Sequence, residues 1–353
     1  MVYSIYSCGS NGNYQLGLDD DEDHDILQTA NFVTNNGVSK QAPDEPVLIA
    51  CGGNHTVILF KNGHLYSCGD NSQGQCGHPS KQAHINKFTK ISGEGWTHVS
   101  CGWEFTVMVN NSREVFVSGL GLKGELGLGE FTRKAEITKI DFSFPEEILE
   151  LKSSVHHTIV RLRNNDLYGW GSCRKGQLGS QLDSRGDLGH RAKSIMWSPQ
   201  PLHFDFSSYN EFALGRESTA FLNLQELRIY GKNPKTIEIS DCFSLRAMWS
   251  SYHILKRSQS MIHIDSFGNN SHGQKYPGHA SDKITQFETG SEHGLILTED
   301  NKVLVWGWGE HGNCGKQIED RIVFDHLNVI YSGPSPIKFI TGGCATTWIV
   351  IEL

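Results

Sequence analysis

Apolar residues along this chain gather in short runs, each closed off by turn-forming residues. The clearest stretch reads Ala50-Cys51-Gly52-Gly53-Asn54-His55-Thr56-Val57-Ile58-Leu59, turns at Lys61-Asn62-Gly63, and resumes at Leu65-Tyr66-Ser67-Cys68-Gly69. Two apolar runs around an Asn-Gly pair predict a β-hairpin, because that pair supplies the positive φ angles a tight turn requires. Similar turn chemistry recurs at Asn110-Asn111-Ser112, Asn164-Asn165-Asp166 and Asp300-Asn301. A glycine-rich tail follows each hairpin, as in Asn71-Ser72-Gln73-Gly74-Gln75-Cys76-Gly77, Lys123-Gly124-Glu125-Leu126-Gly127 and Lys175-Gly176-Gln177-Leu178-Gly179. Glycines at this density suit positive φ or close backbone approach and argue against helix.

The hairpin recurs. A glycine or small residue precedes a second glycine at a near-constant interval in Gly52/Gly69, Gly102/Gly119, Ser154/Gly171, Gly215/Gly231, Ser250/Gly268 and Gly290/Gly307. An unpaired second half opens the chain at Gly9 and an unpaired first half closes it at Gly343. Internal repetition decides architecture, and six units with two complementary halves predict a seven-membered ring. Successive second glycines lie closest at Gly231 and Gly268 and farthest, equally, at Gly9 and Gly69 and at Gly171 and Gly231. Those intervals suit four strands with their turns, roughly 35–50 residues, which is one propeller blade. The extra length falls after the tail, so the outermost strand varies while the inner three are fixed. The expected fold is therefore all-β: a seven-bladed β-propeller of four-stranded blades. Pairing Ile5-Tyr6-Ser7-Cys8-Gly9 with strands inside Ile337 to Ile351 closes the ring and removes two exposed edges.

These residues resemble a known family. Cys-Gly-x-x-His-Thr, Asn-Gly, Leu-Tyr-x-x-Gly and Asn-x-x-Gly-Gln-Leu-Gly look like the repeat of the regulator of chromosome condensation propellers, which have seven blades. The resemblance covers nearly the whole chain and is weakest between about Gly215 and Gly273.

At 353 residues the chain could hold one domain or two, and the closed array argues for one spanning 1–353. Its first blade would be shared between about 1–35 and 337–353. The formal net charge of −8 offers no footprint for nucleic acid or an anionic membrane. With no signal peptide, apolar span or lipidation motif, the expectation is a cytoplasmic protein with access to the nucleus. None of the 9 cysteines falls in a Cys-x-x-Cys pair. Cys8 and Cys68 stand where other units have Trp170 and Trp306, and Cys76 and Cys314 replace Leu16, Leu126 and Leu178. Residues that interchange with Leu or Trp are core filler, so neither a metal nor a cofactor is expected.

The repeat also disposes of several decoys. Gly119 to Gly124 and Gly307 to Gly312 match G-x-G-x-x-G, but turn residues follow where a dinucleotide site needs a helix. The acidic run Asp19 to Asp25 lacks the central glycine of a calcium loop and reads as a solvated connection, with a basic partner as the alternative. His55, His157, His253 and His293 are assigned to one repeat position, packing between blades with ring nitrogens on neighbouring backbone. No catalytic constellation stands out, so the chain is read as a non-enzyme.

In a four-stranded blade the first and third turns share a face. That face gathers Trp103, Glu104, Arg216, Glu217, Glu292, Trp308, Glu310 and His311, which form an acidic, tryptophan-bearing rim. Tryptophan at a turn tip where other units have Gly53, Val155 or Ser172 is a binding anchor. The alternative is that each indole folds over its own blade and covers a seam. A metal site from Glu292, His293, Glu310 and His311 is disfavoured, because the repeat already accounts for His293.

The string Trp306-Gly307-Trp308-Gly309-Glu310-His311-Gly312-Asn313-Cys314-Gly315, with Cys101-Gly102-Trp103-Glu104, is similar to one fungal subgroup of the family, the α-tubulin-suppressor type. That resemblance implies a heterodimer with a small zinc-binding protein of the diphthamide pathway. It also implies support of Elongator-dependent wobble-uridine modification in tRNA and of diphthamide synthesis on elongation factor 2. The founding member's role implies the rival reading, a guanine-nucleotide exchange factor for a Ran-like GTPase acting through a β-wedge. The stretch from Ser180 to Asn210 is long enough for a wedge but carries Pro199 and Pro201 and little strand alternation.

Overall fold

The computed structural model describes residues 1–179, 194–204, 209–258, 261–279, 283–317 and 321–353. Their strands form seven sheets arranged as the blades of a propeller. Blade 1 joins the two ends of the chain, in the order His24–Thr29, Tyr3–Gly9, Thr346–Glu352, Ile337–Gly342. Its closing pair is antiparallel and unbroken from Tyr3↔Glu352 to Gly9↔Thr346. Blade 2 runs Pro46–Cys51, His55–Phe60, Leu65–Asp70, His84–Lys90, and blade 3 runs Trp96–Cys101, Phe105–Asn110, Val115–Leu120, Lys134–Lys139. Blade 4 comprises Ile148–Ser153, His157–Leu162, Leu167–Ser172 and Ile195–Pro201, and blade 5 Glu211–Gly215, Ser218–Leu222, Glu226–Gly231 and Lys235–Glu238. Blade 7 has Ile284–Thr289, His293–Thr298, Lys302–Trp308 and Val323–Ser332.

The simple repeat is departed from in three places. Phe32–Thr34 and Gly37–Ser39 form a small hairpin that joins the outer edge of blade 2 through Phe32↔Phe88, so the N-terminal share of blade 1 ends at Thr29. Blade 6 has three strands among the described residues, Cys242–Ala247, Ser251–Ser258 and Met261–Gly268. In blade 4, Ile195–Pro201 is the outer strand, with a register shift between Gly169 and Gly171, while residues 180–193 and 205–208 of the stretch long enough for a wedge lie outside the described residues.

Blade 6 also corrects the reading of the repeat. Ser251 pairs with Gly268 as His55 does with Gly69 and His293 with Gly307. Ser251, not His253, therefore occupies the histidine position, and Met248 takes the place of Gly52. The same backbone bond marks both, from Met248 N–H to Ser251 C=O at 2.9 Å and from Gly52 N–H to His55 C=O at 2.8 Å. The exchange has a steric reason. A Cβ on Gly52 would lie 2.1 Å from the His55 ring, whereas Ser251 has no ring to leave room for. His253 is buried inside its own blade between Ser266 and Ser251 hydroxyls, at 2.9 and 3.1 Å.

A recurring bond closes the seams between blades. The Thr106 hydroxyl of blade 3 donates to the Gln75 carbonyl in the tail of blade 2 at 2.7 Å. Having spent its proton there, the hydroxyl accepts from His55 Nε2 at 2.9 Å. Thr219 does the same with Gln177 and His157, and Thr347 with Asn313 and His293. The ring Nε2 of each histidine thus meets a threonine hydroxyl of the next blade, where the sequence predicts backbone; His293 alone also has a backbone partner, Thr346. Thr56 donates to Gln15 O at 2.8 Å, Trp170 Nε1 to Glu125 O at 2.8 Å and Trp306 Nε1 to Gln274 O at 3.0 Å. Among the described residues every seam but that between blades 5 and 6 carries such a bond.

Candidate functional site

The corner between first and second strands and the tail after the third lie on one face, as blade topology requires. At each corner one residue forms the tip: Gly53, Trp103, Val155, Arg216, Trp249, Ser291 and Cys344. Backbone bonds link successive tips, including Gly53 N–H to Trp103 O at 3.0 Å, Arg216 N–H to Trp249 O at 3.0 Å and Trp249 N–H to Ser291 O at 2.8 Å. Glycine at Gly53 permits this approach, since a Cβ there would lie 2.8 Å from Trp103 O. The belt leaves a shallow axial mouth of about 150 Å³ on this face.

Beside that mouth is a second cavity of about 170 Å³, lined by Trp103, Trp249, Trp308, Glu292, Glu310 and His311 with Ser291, Asn313, Cys344 and Ala345. Trp103 is 36% exposed and lies against Trp249 with ring centroids 5.7 Å apart. Trp308 is half-buried and stacks on His272 at 4.2 Å and 14°. The two indoles therefore divide between the two readings of the sequence. Trp103 is an open tip, whereas Trp308 also fills the joint between the tails of blades 6 and 7. Arg216 lies over Trp249 with its guanidinium carbon 5.6 Å from the ring centroid, a cation–π arrangement.

Five of the eight residues expected at the rim meet in this cavity: Trp103, Glu292, Trp308, Glu310 and His311. Arg216 and Glu217 line an adjoining cleft together with Glu292. Glu104 lines neither. Trp249 was missed because the hairpin of blade 6 is longer than the others, which displaced the repeat alignment. The signal was present, since Met248-Trp249 takes the corner places of Gly102-Trp103.

The rim is less acidic than its glutamates suggest. Glu292 accepts from the Ser250 hydroxyl at 2.8 Å and from Gln274 Nε2 at 3.1 Å, and burial pushes its carboxyl above the usual range. Glu217 sits 3.5 Å from Lys232 Nζ. His311 Nδ1 contacts Asp23 Oδ2 at 2.7 Å, which ties the N-terminal acidic run to the tail of blade 7. Asp23 also accepts from Asn11 N–H at 2.7 Å, and Asp20 from Asn11 Nδ2 at 2.8 Å. Asp20 and Asp23 thus brace the tail of blade 1.

His293 is engaged by Thr347 Oγ1 at 3.0 Å, and no cluster of three or more His, Cys, Asp or Glu is placed to hold a metal among the described residues. The cysteines are free thiols, and burial pushes Cys51 up to about 12 and Cys344 to about 11. No helix among the described residues is long and apolar enough to cross a membrane.

Models of the regulator of chromosome condensation (RCC1) repeat match residues 4–59 and 62–109, and a second model of that description matches 47–75 and 284–313. The chain is 33% identical to an RCC1 repeat-containing protein of Schizosaccharomyces pombe over 99% of both sequences. The chain belongs to the RCC1 repeat family. This RCC1 repeat propeller is also 23% identical to a mouse secretion-regulating guanine nucleotide exchange factor, over 96% of its own length and 81% of the relative's. Among solved structures it is similar to Prp20p of Saccharomyces cerevisiae, a structure described with binding to Gsp1p and histones. The TM-score is 0.79 at 17% identity, covering 99% of this chain and 92% of that one, a likeness of fold.

Proposed function

We propose that this RCC1 repeat propeller is a non-catalytic docking platform. Its tryptophan rim binds a small zinc-binding protein of the diphthamide pathway. Through that partner it supports Elongator-dependent wobble-uridine modification of tRNA and diphthamide synthesis on elongation factor 2. The setting is the cytoplasm, with the nucleus as a second compartment. The observation that carries the docking role is the open Trp103–Trp249 pair beside Trp308 at one cavity. Rigid aromatics around a partly dehydrated pocket are the usual centre of a protein interface. The choice of partner rests on the resemblance of the Trp306–Gly315 string to the α-tubulin-suppressor subgroup.

Affinity capture from the native cell, wild type beside Trp103→Ala, tests this reading. One small zinc protein should be retained by wild type and lost from the variant. Equal recovery, or recovery of no such protein, would remove the proposal.

A second reading, nucleotide exchange on a Ran-like GTPase, is favoured by the name of the mouse relative. Catalytic amounts of the chain would then accelerate release of labelled GDP from such a GTPase. The platform reading expects the release rate to stay at its spontaneous value.

A further inference from the structure

In every other seam a tail from one blade reaches the next, but blade 5 has no tail. Its third and fourth strands, Glu226–Gly231 and Lys235–Glu238, are joined by Lys232-Asn233-Pro234 alone. The place left open is a cleft of about 850 Å³ between blades 5 and 6. Phe267 shows what is missing. It stands immediately before its second glycine, as Trp170 and Trp306 do, yet those two are fully buried beneath a neighbouring tail and Phe267 is only half-buried. Tyr252 stands where Thr106 and Thr219 receive a tail, and its hydroxyl bonds to Ser218 instead.

The charge of the cleft is uneven. Arg216, Lys232, Lys235 and Lys275 line it against Glu217 and Glu292. Lys232 lies near Glu217, and Glu292 is engaged by Ser250 and Gln274. Among the described residues no carboxylate forms an ion pair with Arg216, Lys235 or Lys275.

We propose that this cleft is a docking groove for an acidic segment of a partner protein, which occupies the place of the absent tail. Carboxylates on the segment meet Arg216, Lys235 and Lys275, and an apolar side chain covers Phe267. In the other seams walls of this kind close on a turn-rich stretch of polypeptide, as at 71–77, and the cations that lack an ion pair set the sign of the occupant's charge. The groove shares Arg216, Trp249 and Glu292 with the region around the rim, but the inference does not depend on which partner binds there.

A random dodecapeptide display library panned on the full chain, with Lys235→Glu/Lys275→Glu as the counter-selection, tests it. Both lysines are exposed, so the variant should melt as wild type does. Peptides selective for wild type should be rich in Asp and Glu and carry an aromatic residue or leucine. Their affinity should fall about tenfold or more in the variant, weaken with salt and survive Trp103→Ala. Enrichment of basic or uncharged peptides, equal binding by the variant, or absence of any selective peptide would overturn the proposal. So would a labelled single-stranded oligonucleotide that displaces the peptides. Survival of peptide binding in Trp103→Ala, whatever happens to the zinc protein, separates this groove from the rim.

Discussion

Trp103 and Trp308 belong to one class in the sequence and to two in the structure. Trp103→Ala removes an exposed tip ring, so partner affinity should fall by about 2 kcal/mol or more, as at interface hot spots, with the melting temperature unchanged. Trp308→Ala also strips a ring stacked on His272 and should lower the melting temperature as well. Calorimetric titration beside thermal melts distinguishes the two. Titration of buried histidines gives a second prediction at this scale. Burial lowers His55 and His293 to about 4 and His157 and His253 to about 3. The unfolded chain, with histidines near 6.5, therefore binds more protons than the native one at pH 5. Stability should be full above about pH 6.5 and be lost as pH falls toward about 4, at up to about 1.4 kcal/mol per pH unit for each histidine. Denaturant midpoints at pH 7 and pH 5 check this; equal midpoints would mean that these rings are protonated in the folded state. Burial of His55, His157 and His293 was legible from their recurrence, but their partners were not, because the threonine lies one blade away.

At the scale of the element, the seam bond is the unit of cohesion. Thr106→Val keeps the shape of the side chain but leaves the His55 Nε2–H and the Gln75 carbonyl without their buried partner. It should destabilise the chain by about 1–3 kcal/mol, read as a lowered denaturant midpoint. Gly119→Ala should do comparable harm, by more than about 1 kcal/mol, since φ is +110° and a Cβ would lie 2.2 Å from the Glu104 carbonyl oxygen. The hairpins themselves were plain in the sequence from apolar runs and Asn-Gly turns. Blade 6 was misread because two cues failed together. Met248 replaces the corner glycine, and eight-residue strands, Ser251–Ser258 and Met261–Gly268, lengthen the hairpin. A two-residue displacement hid Trp249.

For the molecule as a whole, closure is the controlling event. The pairing of Tyr3–Gly9 with Thr346–Glu352 leaves no open edge between first and last blades. Deletion of 337–353 would expose the Tyr3–Gly9 edge and remove Trp348, uncovering Phe88, whose ring centroid lies 5.9 Å from it. The truncated chain should lose its cooperative transition and aggregate. A monomer with an unchanged melt would show that the remaining blades hold together unaided.

Repetition of a hairpin with a glycine at each end determined, by itself, the strand class, the number of blades and the meeting of the two chain ends. Those are properties of local turn chemistry and of counting, and they survive erosion of individual units. Only the tertiary structure decided that Trp103 meets Trp249 across the axis, that Glu292 is sequestered, and that one seam stands open. Each of these depends on which side chains from different blades come within a few ångströms, a distance that the order of residues along a chain does not encode. The absent tail of blade 5 is visible as a short connection, yet its meaning as a cleft appears only when the neighbouring blade is in place.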